Sequence, residues 1–433
     1  MKNRKAALVI TFVMAVSLLG SGCSGQNAET GNTNTAEAEA STETVTEEKS
    51  SEEAIPETES TVESSTEEVS TEEDDTQSEK GDGDIIIPVI EHHVIERSDD
   101  KGTYYYSRYD SISLGDRGSQ YTDLENVLSE RSAEIAANAE GEADNLSEED
   151  RSYREETGIE QPFYSNNVIY TKRADKDVFS FIESSESYMG GAHGMYGLFG
   201  NNYHTSDGSA IELSEVVKDM DRLKKDLADK LNKEYADAGF FDDPETALQA
   251  YGDNAEAGEI HFNWVLENEG ITFIFNPYEI APYAAGQQIV TIRYDEDPEL
   301  FTGNIQENTG NSVQEFGFYQ NVSVFDKDGN KRILNAGADY DYDAPGQYAV
   351  YPVIAVEFDY SGNKLKDTDI KADGAYDIRM YLAHTSDGDN RILIESGKDG
   401  GTKTTSIYVL GDDGSIKKSG VKDGDVRSNI NAI

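Results

Sequence analysis

A single cysteine, Cys23, occurs in 433 residues. That excludes an intrachain disulfide, a thiolate zinc site and an iron–sulfur cluster. Cations are scarce as well. Lys and Arg number 36 against 86 Asp and Glu, a net charge of −50 at pH 7. Nucleic acids and anionic lipid faces are held chiefly by cation–phosphate contacts, so neither is an expected partner through a basic patch. The six histidines, His92, His93, His193, His204, His261 and His384, form no local zinc pattern such as H-E-x-x-H. No metal and no cofactor is expected, and no nucleophile–base–acid constellation is legible.

The only long apolar run is at the start. Lys2, Arg4 and Lys5 precede the 14 apolar-rich residues Ala6 to Leu19, and Gly20-Ser21-Gly22-Cys23 closes the segment. Fourteen helical residues span about 21 Å, short of the roughly 30 Å hydrocarbon core, so the segment reads as a secretory signal at 1–22. Its end resembles a bacterial lipobox, with Leu19 one place earlier than usual and Gly20 in its stead. The resemblance implies that Cys23 is lipidated, and two acyl chains suffice for stable anchoring. The expected location is the outer face of the bacterial cytoplasmic membrane.

Residues 24–83 hold 19 acidic and 2 basic residues, with Ile55 and three valines as their only large aliphatics. Such a stretch cannot bury enough apolar surface to offset its ordering entropy, so 23–83 reads as a lipidated cysteine on an acidic disordered tether. The remaining chain, 84–433, keeps a net charge of −36 and has length enough for two or three domains.

Within that part the expected class is α+β, with helices packed on antiparallel sheet in residues 88–300. Pro88 marks Ile85–Ile90 as an edge strand, and Tyr104–Leu114 follows as another. Thr122-Asp123-Leu124-Glu125 has the form of a capping box before a helix through Leu128 and Ile135. Val168–Tyr170 and Val178–Ile182 read as strands paired around Asp175–Asp177. Val216, Met220, Leu223, Leu227, Leu231 and Tyr235 recur at helical spacing. Asp243-Pro244 opens a shorter helix. Ile271, Phe273 and Phe275, and Val290, Ile292 and Tyr294, alternate as half-buried strands.

Residues 302–433 read as a β-rich domain, a partial propeller or a sandwich. Three stretches, from Val322, Val356 and Ile407, each run from a strand into a glycine turn at Gly329, Gly362 and Gly414, as hairpins do. Asp339-Tyr340-Asp341-Tyr342-Asp343 begins like a calcium loop, but Ala344 and Val350 stand where glycine and glutamate are needed.

Two stretches point to a known family. One is Tyr188-Met189-Gly190-Gly191-Ala192-His193-Gly194 with Asp207-Gly208 and Ile211–Val216. The other is ITFIFNPYEIAPYAAG, Ile271 to Gly286. Together they resemble the paired uncharacterised extracytoplasmic domains of RsiV-like anti-sigma factors, whose outer part is a lysozyme receptor, and of PdaC-like peptidoglycan deacetylases. The resemblance spans about 88–300 and divides it into 84–204 and 205–301. A lipoprotein signal replaces the anti-sigma segment here, and nothing after residue 300 resembles the deacetylase. What the resemblance implies is a sensing or ligand-binding ectodomain, its partner a basic lysozyme-like protein or peptidoglycan.

The candidate ligand-binding residues are Tyr188, Gly190, Gly191, His193, Asn276, Tyr278, Glu279 and Tyr283. Gly190 to Gly194 either present backbone amides to an anion or form a tight strand end, and Ala192 occupies the serine place of a nucleophile elbow. Tyr278 and Tyr283 have the amphipathic character favoured at binding surfaces. Glu279 is a carboxylate that an alternative function, a cell-wall-acting hydrolase, would need beside a second one.

Overall fold

The structure is a computed structural model that describes residues 85–432, except 253–257, 309, 318–321, 326–330, 339–353, 360–364, 375, 386–388, 399–400 and 412–414. The expected signal, Cys23, the tether, the Asp339–Asp343 loop and the three glycine turns of the tail lie outside the described residues. Among the described residues no helix is long and apolar enough to cross a membrane.

Five strands build the first sheet: β1 (Val89–Asp99), β2 (Gly102–Ser113), β3 (Phe163–Ala174), β4 (Val178–Tyr188) and β5 (Met195–His204), in that spatial order. All pairs are antiparallel except β2–β3. Parallel neighbours need a long crossover, here the 36-residue helix α1 (Thr122–Thr157). It buries Leu124, Leu128 and Ile135 against Phe179 and Phe181, then Ala139, Ala143 and Leu146 against Tyr105 and Phe163. The small residues of its second half hid half of this helix from a hydrophobic pattern. Gly158, left-handed at φ 73°, caps it through an N–H to the Arg154 carbonyl.

The capping box expected at Thr122 does not form. Tyr121 is the N-cap, and the Glu125 carboxylate accepts from Leu114 N at 2.7 Å instead. The buried loop amide of Leu114 has no strand partner on that side, and Glu125 supplies one. A reciprocal box does occur between Glu212 and Glu215, at α2 (Leu213–Val216).

A second layer follows. α3 (Met220–Glu234) starts on Asp219, whose side chain accepts from Arg222 N, and buries Leu223, Leu227 and Leu231 as the spacing predicts. α4 (Pro244–Ala247) is capped by Asp243. They share a core with the antiparallel sheet β6 (Trp264–Leu266), β7 (Gly270–Phe275) and β8 (Gln288–Arg293). Tyr235, just past α3, ties it to β8: its hydroxyl donates to Ile289 O at 3.1 Å and accepts from Ile289 N at 2.9 Å.

The tail is a sandwich rather than a partial propeller. β9 (Ser312–Phe316) joins β14 (Tyr376–His384), β15 (Asn390–Gly397), β16 (Lys403–Leu410) and β17 (Ile416–Asp423) in one sheet, with β9 at an edge. β10 (Val322–Phe325), β11 (Lys331–Ala338), β12 (Ile354–Asp359) and β13 (Leu365–Ile370) form the other as a meander. Leu334, Ile354 and Val356 from one sheet and Met380, Ile392 and Ile394 from the other share a single apolar core. The three expected hairpin strand pairs, β10–β11, β12–β13 and β16–β17, are antiparallel neighbours. Helices on sheet followed by β-rich layers make the class α+β.

Candidate binding face

Helix α1 covers one face of the first sheet. The other face is covered at one end only, by β9 beside β3, where Lys172 Nζ donates to Glu315 O, and by β6 across β4 and β5. Three asparagines stitch this junction. Asn202 accepts from Leu266 N at 2.7 Å and donates to Trp264 O at 3.0 Å. Asn263 accepts from Gly200 N at 2.9 Å and donates to Leu198 O at 2.7 Å. Asn276 accepts from Leu198 N at 2.9 Å and donates to Leu198 O at 3.0 Å. The outward backbone groups of edge strand β5 are thus paired by side chains, which blunts the edge. A Cβ at Gly200 would collide with the Trp264 carbonyl, so only glycine admits the second layer here. Ile182 and Leu198 fill the seam against Val265 and Ile274.

The opposite end of the same face is open and aromatic. Tyr106 of β2 stacks on Tyr164 of β3 at 5.2 Å, with the Arg108 guanidinium 5.7 Å from the Tyr106 ring. Tyr164 donates to Glu186 at 2.9 Å; partial burial, reinforced by that carboxylate, raises its phenol above the ordinary value. Tyr196 of β5 meets Tyr283 edge-on at 5.6 Å. His193 lies flat on Tyr283, ring centroids 4.0 Å apart, and Tyr278 packs against Tyr283 at 5.6 Å, tilted by 36°. Tyr283 is fixed by its hydroxyl, which donates to Gly194 O at 2.9 Å. Tyr278 is the one described non-glycine residue at positive φ, 72°, a conformation usually costing a side chain about 1–2 kcal/mol. The residue is half exposed, at 50%. Phe241, 58% exposed, is joined to the same loop through its amide on Ile280 O. Met195 and Phe199 of β5 and Met189 are exposed nearby in sequence. Isolated exposed apolar residues are ordinary; Tyr278 and Phe241 lie at one loop beside the ring cluster, whereas Met195 and Phe199, at odd spacing from Tyr196, face the α1 side of the strand.

The eight expected residues divide into two groups. His193, Tyr278 and Tyr283 come together as one stack. Asn276 is buried and spends its amide on β5, as described above. Tyr188 is buried against Phe163 and Tyr164, its hydroxyl donating to Gly191 O at 3.3 Å. Gly190 and Gly191 are both left-handed; Tyr153 fills the space beside Gly190, and its hydroxyl accepts from Gly191 N at 3.1 Å. That amide is occupied by a phenol, so these glycines serve the turn. Glu279 is exposed as a residue, yet neighbouring groups desolvate its carboxyl and raise it, against a smaller lowering by Asn276. Tyr106, Arg108, Tyr164, Glu186 and Tyr196 were not singled out from the sequence. Each sits alone in an alternating strand, and only strand register gathers them.

The two histidines of β1 do not assemble an acyl-transfer triad. His92 Nδ1 lies 2.5 Å from buried Asp110, and His93 Nε2 lies 2.9 Å from Ser111 Oγ. The acid and the hydroxyl therefore belong to different, successive histidines, which a strand points to opposite faces. Arg379 approaches His92 Nε2 at 3.2 Å and can only donate there. His92 thus carries its proton on Nδ1 toward Asp110, and its remaining nitrogen is already engaged. His204 pairs with Glu215 at 3.1 Å, at the far end of β5 from His193. Among the described residues no cluster of His, Cys, Asp or Glu could hold a metal ion.

The family described as "Protein of unknown function (DUF3298)" matches residues 209–295. The chain carries a DUF3298 domain. It runs from the end of β5 through β8 and supplies the 276–286 loop, hence Tyr278 and Tyr283, while the first sheet supplies the other rings. Two solved structures are similar. A DUF3298 family member from Bacteroides fragilis shares 18% identity at a TM-score of 0.35, covering 51% of this chain and 96% of its own. A DUF3298 family protein from Pseudomonas aeruginosa shares 15% at 0.34, covering 51% and 95%. No curated protein matches the chain.

Proposed function

We propose that this protein is a lipid-anchored extracytoplasmic receptor that binds without catalysing, and that its aromatic face takes a basic protein of the lysozyme kind. The observation that carries this reading is the His193–Tyr283–Tyr278 stack, part-exposed on an otherwise open sheet face beside Tyr196, Tyr164 and Glu186. Tyrosines of this sort contribute large rigid contact area with a polar tip, as binding hot spots do. The net charge of −50 favours a cationic partner and speeds its encounter, the more so at low salt. The likeness of Tyr188–Gly194 and Ile271–Gly286 to RsiV-like and PdaC-like ectodomains supports the same reading. So does Cys23 behind a signal-like segment, which would hold the protein on the outer membrane face, with the acidic tether as a spacer.

A co-sedimentation or pull-down with a basic muramidase at low and moderate salt tests the partner, and absence of binding at both would remove it. Peptidoglycan is the second reading, since tyrosine faces also stack on sugar rings. The hydrolase reading keeps one supporting observation, the raised Glu279 carboxyl, and a peptidoglycan zymogram tests it.

A further inference from the structure

A second site lies away from the aromatic residues, where the first sheet meets the five-stranded tail sheet. It is a partly enclosed cavity of about 140 Å³. Its floor is charged in alternation: Glu315 on β9, Arg379 on β14, Glu395 on β15 and Lys403 on β16, four neighbouring strands in that order. Arg379 pairs with Glu315, and Lys403 Nζ donates to Glu395 at 2.7 Å. Asp425 and Arg427 from the end of the chain complete three anions and three cations, so the lining has no net charge. Ile86, Ile87, Pro88 and Val313 add an apolar flank.

One group in this lining is unsatisfied. Thr171 on β3 is 5% exposed, and its hydroxyl has no hydrogen-bond partner among the described residues. Buried hydroxyls are nearly always paired, so this one is a donor and acceptor available to whatever occupies the cavity, water or solute. Cavities near 150 Å³ hold a molecule of about six heavy atoms. A simple cation or anion would leave a charge imbalance in a neutral lining whose Glu315, Arg379 and Glu395 are buried. A molecule with both signs would match the alternating floor, and a short aliphatic branch would match the flank.

We propose that this cavity binds a small zwitterion, an α-amino acid of about alanine size, independently of the aromatic face. The ammonium group would add to the Glu315 or Glu395 side of the floor and the carboxylate to Arg379 or Lys403. The Thr171 hydroxyl would then find its partner on the ligand.

Thermal unfolding of the full chain in millimolar glycine, L-alanine or D-alanine tests this, with glycerol, acetate and ethylammonium as controls for each feature alone. At least one zwitterion should raise the midpoint by roughly 2–4 °C while the controls leave it unmoved. Thr171→Val, which keeps shape but removes the hydroxyl, should weaken the amino acid about threefold to tenfold by calorimetric titration. Ile87→Trp, which fills the cavity from its flank, should abolish the shift. The proposal is overturned if no zwitterion raises the midpoint or if a control raises it equally. A shift unchanged in both variants overturns it too, because the binding is then elsewhere.

Discussion

The first sheet meets the rest of the molecule at two junctions of opposite chemistry. Toward the DUF3298 domain the contact is largely neutral: three asparagine amides, a glycine and a seam of aliphatic side chains, with the part-exposed His204–Glu215 contact beside them. Toward the tail it is ionic: buried Lys172 donates to Glu315 O at 3.3 Å, Glu315 pairs with Arg379, and Arg379 reaches His92 and through it Asp110. Neutral amides satisfy an exposed strand edge without placing charge in a low-dielectric seam. Buried ions do so only as complete sets, and each missing member leaves an uncompensated charge. The neutral junction should therefore tolerate pH and single substitutions better than the ionic one.

The ionic junction is the easier to break. Glu315→Ala strands Arg379 and should cost about 3–5 kcal/mol, read as a drop in urea midpoint. Gly200→Val should cost about 1–3 kcal/mol, since the Trp264 carbonyl must retreat and β6 with it. Asn263→Ala should cost about the same, by leaving Gly200 N without its side-chain acceptor, while Leu198 O keeps the Asn276 amide.

A separate pH dependence comes from the β6–β7 turn of the DUF3298 domain, apart from the asparagine stitches. Burial, with Glu267 beside it, pushes the Glu269 carboxyl up to about 7 from an ordinary 4.5. The folded state then holds a proton that the unfolded chain has released. Its contribution is fully present below about pH 4.5 and falls away as pH rises to about 7. The loss should amount to about 1–3 kcal/mol, given that the residue is only partly buried. Glu269→Gln should flatten that part of the stability profile. An unchanged slope in the variant would remove Glu269 as its source.

These junctions also mark what could be seen in the sequence. The stripe of Leu223, Leu227 and Leu231 and the alternation of Ile271, Phe273 and Phe275 were legible because large apolar residues carry a period. Strand β5 was not, because Gly197, Gly200, Asn201 and Asn202 have the composition of a turn. Its glycines and asparagines answer to a layer 60 residues further on. The second half of α1 was hidden by Ala139 and Ala143. At the aromatic face, Tyr278 and Tyr283 stood out because a long motif contains them. Tyr106, Tyr164 and Tyr196 lie on three strands, one of them paired in parallel through α1, and no local pattern encodes that register. Tyr188, Gly190 and Gly191 looked like the same site, yet their partners are Tyr153 and the turn itself.

The aromatic face should contribute least to stability. Tyr283→Ala removes one hydrogen bond and a half-exposed stack, at roughly 1 kcal/mol, so the variant should remain folded. That makes it the direct test of the receptor reading. The affinity of a basic muramidase is measured by titration calorimetry for the wild type, Tyr283→Ala and Tyr278→Ala, at low and moderate salt. The account predicts binding that weakens with salt and falls at least about tenfold in both variants. Equal affinity in all three proteins, or no binding by the wild type, would contradict it.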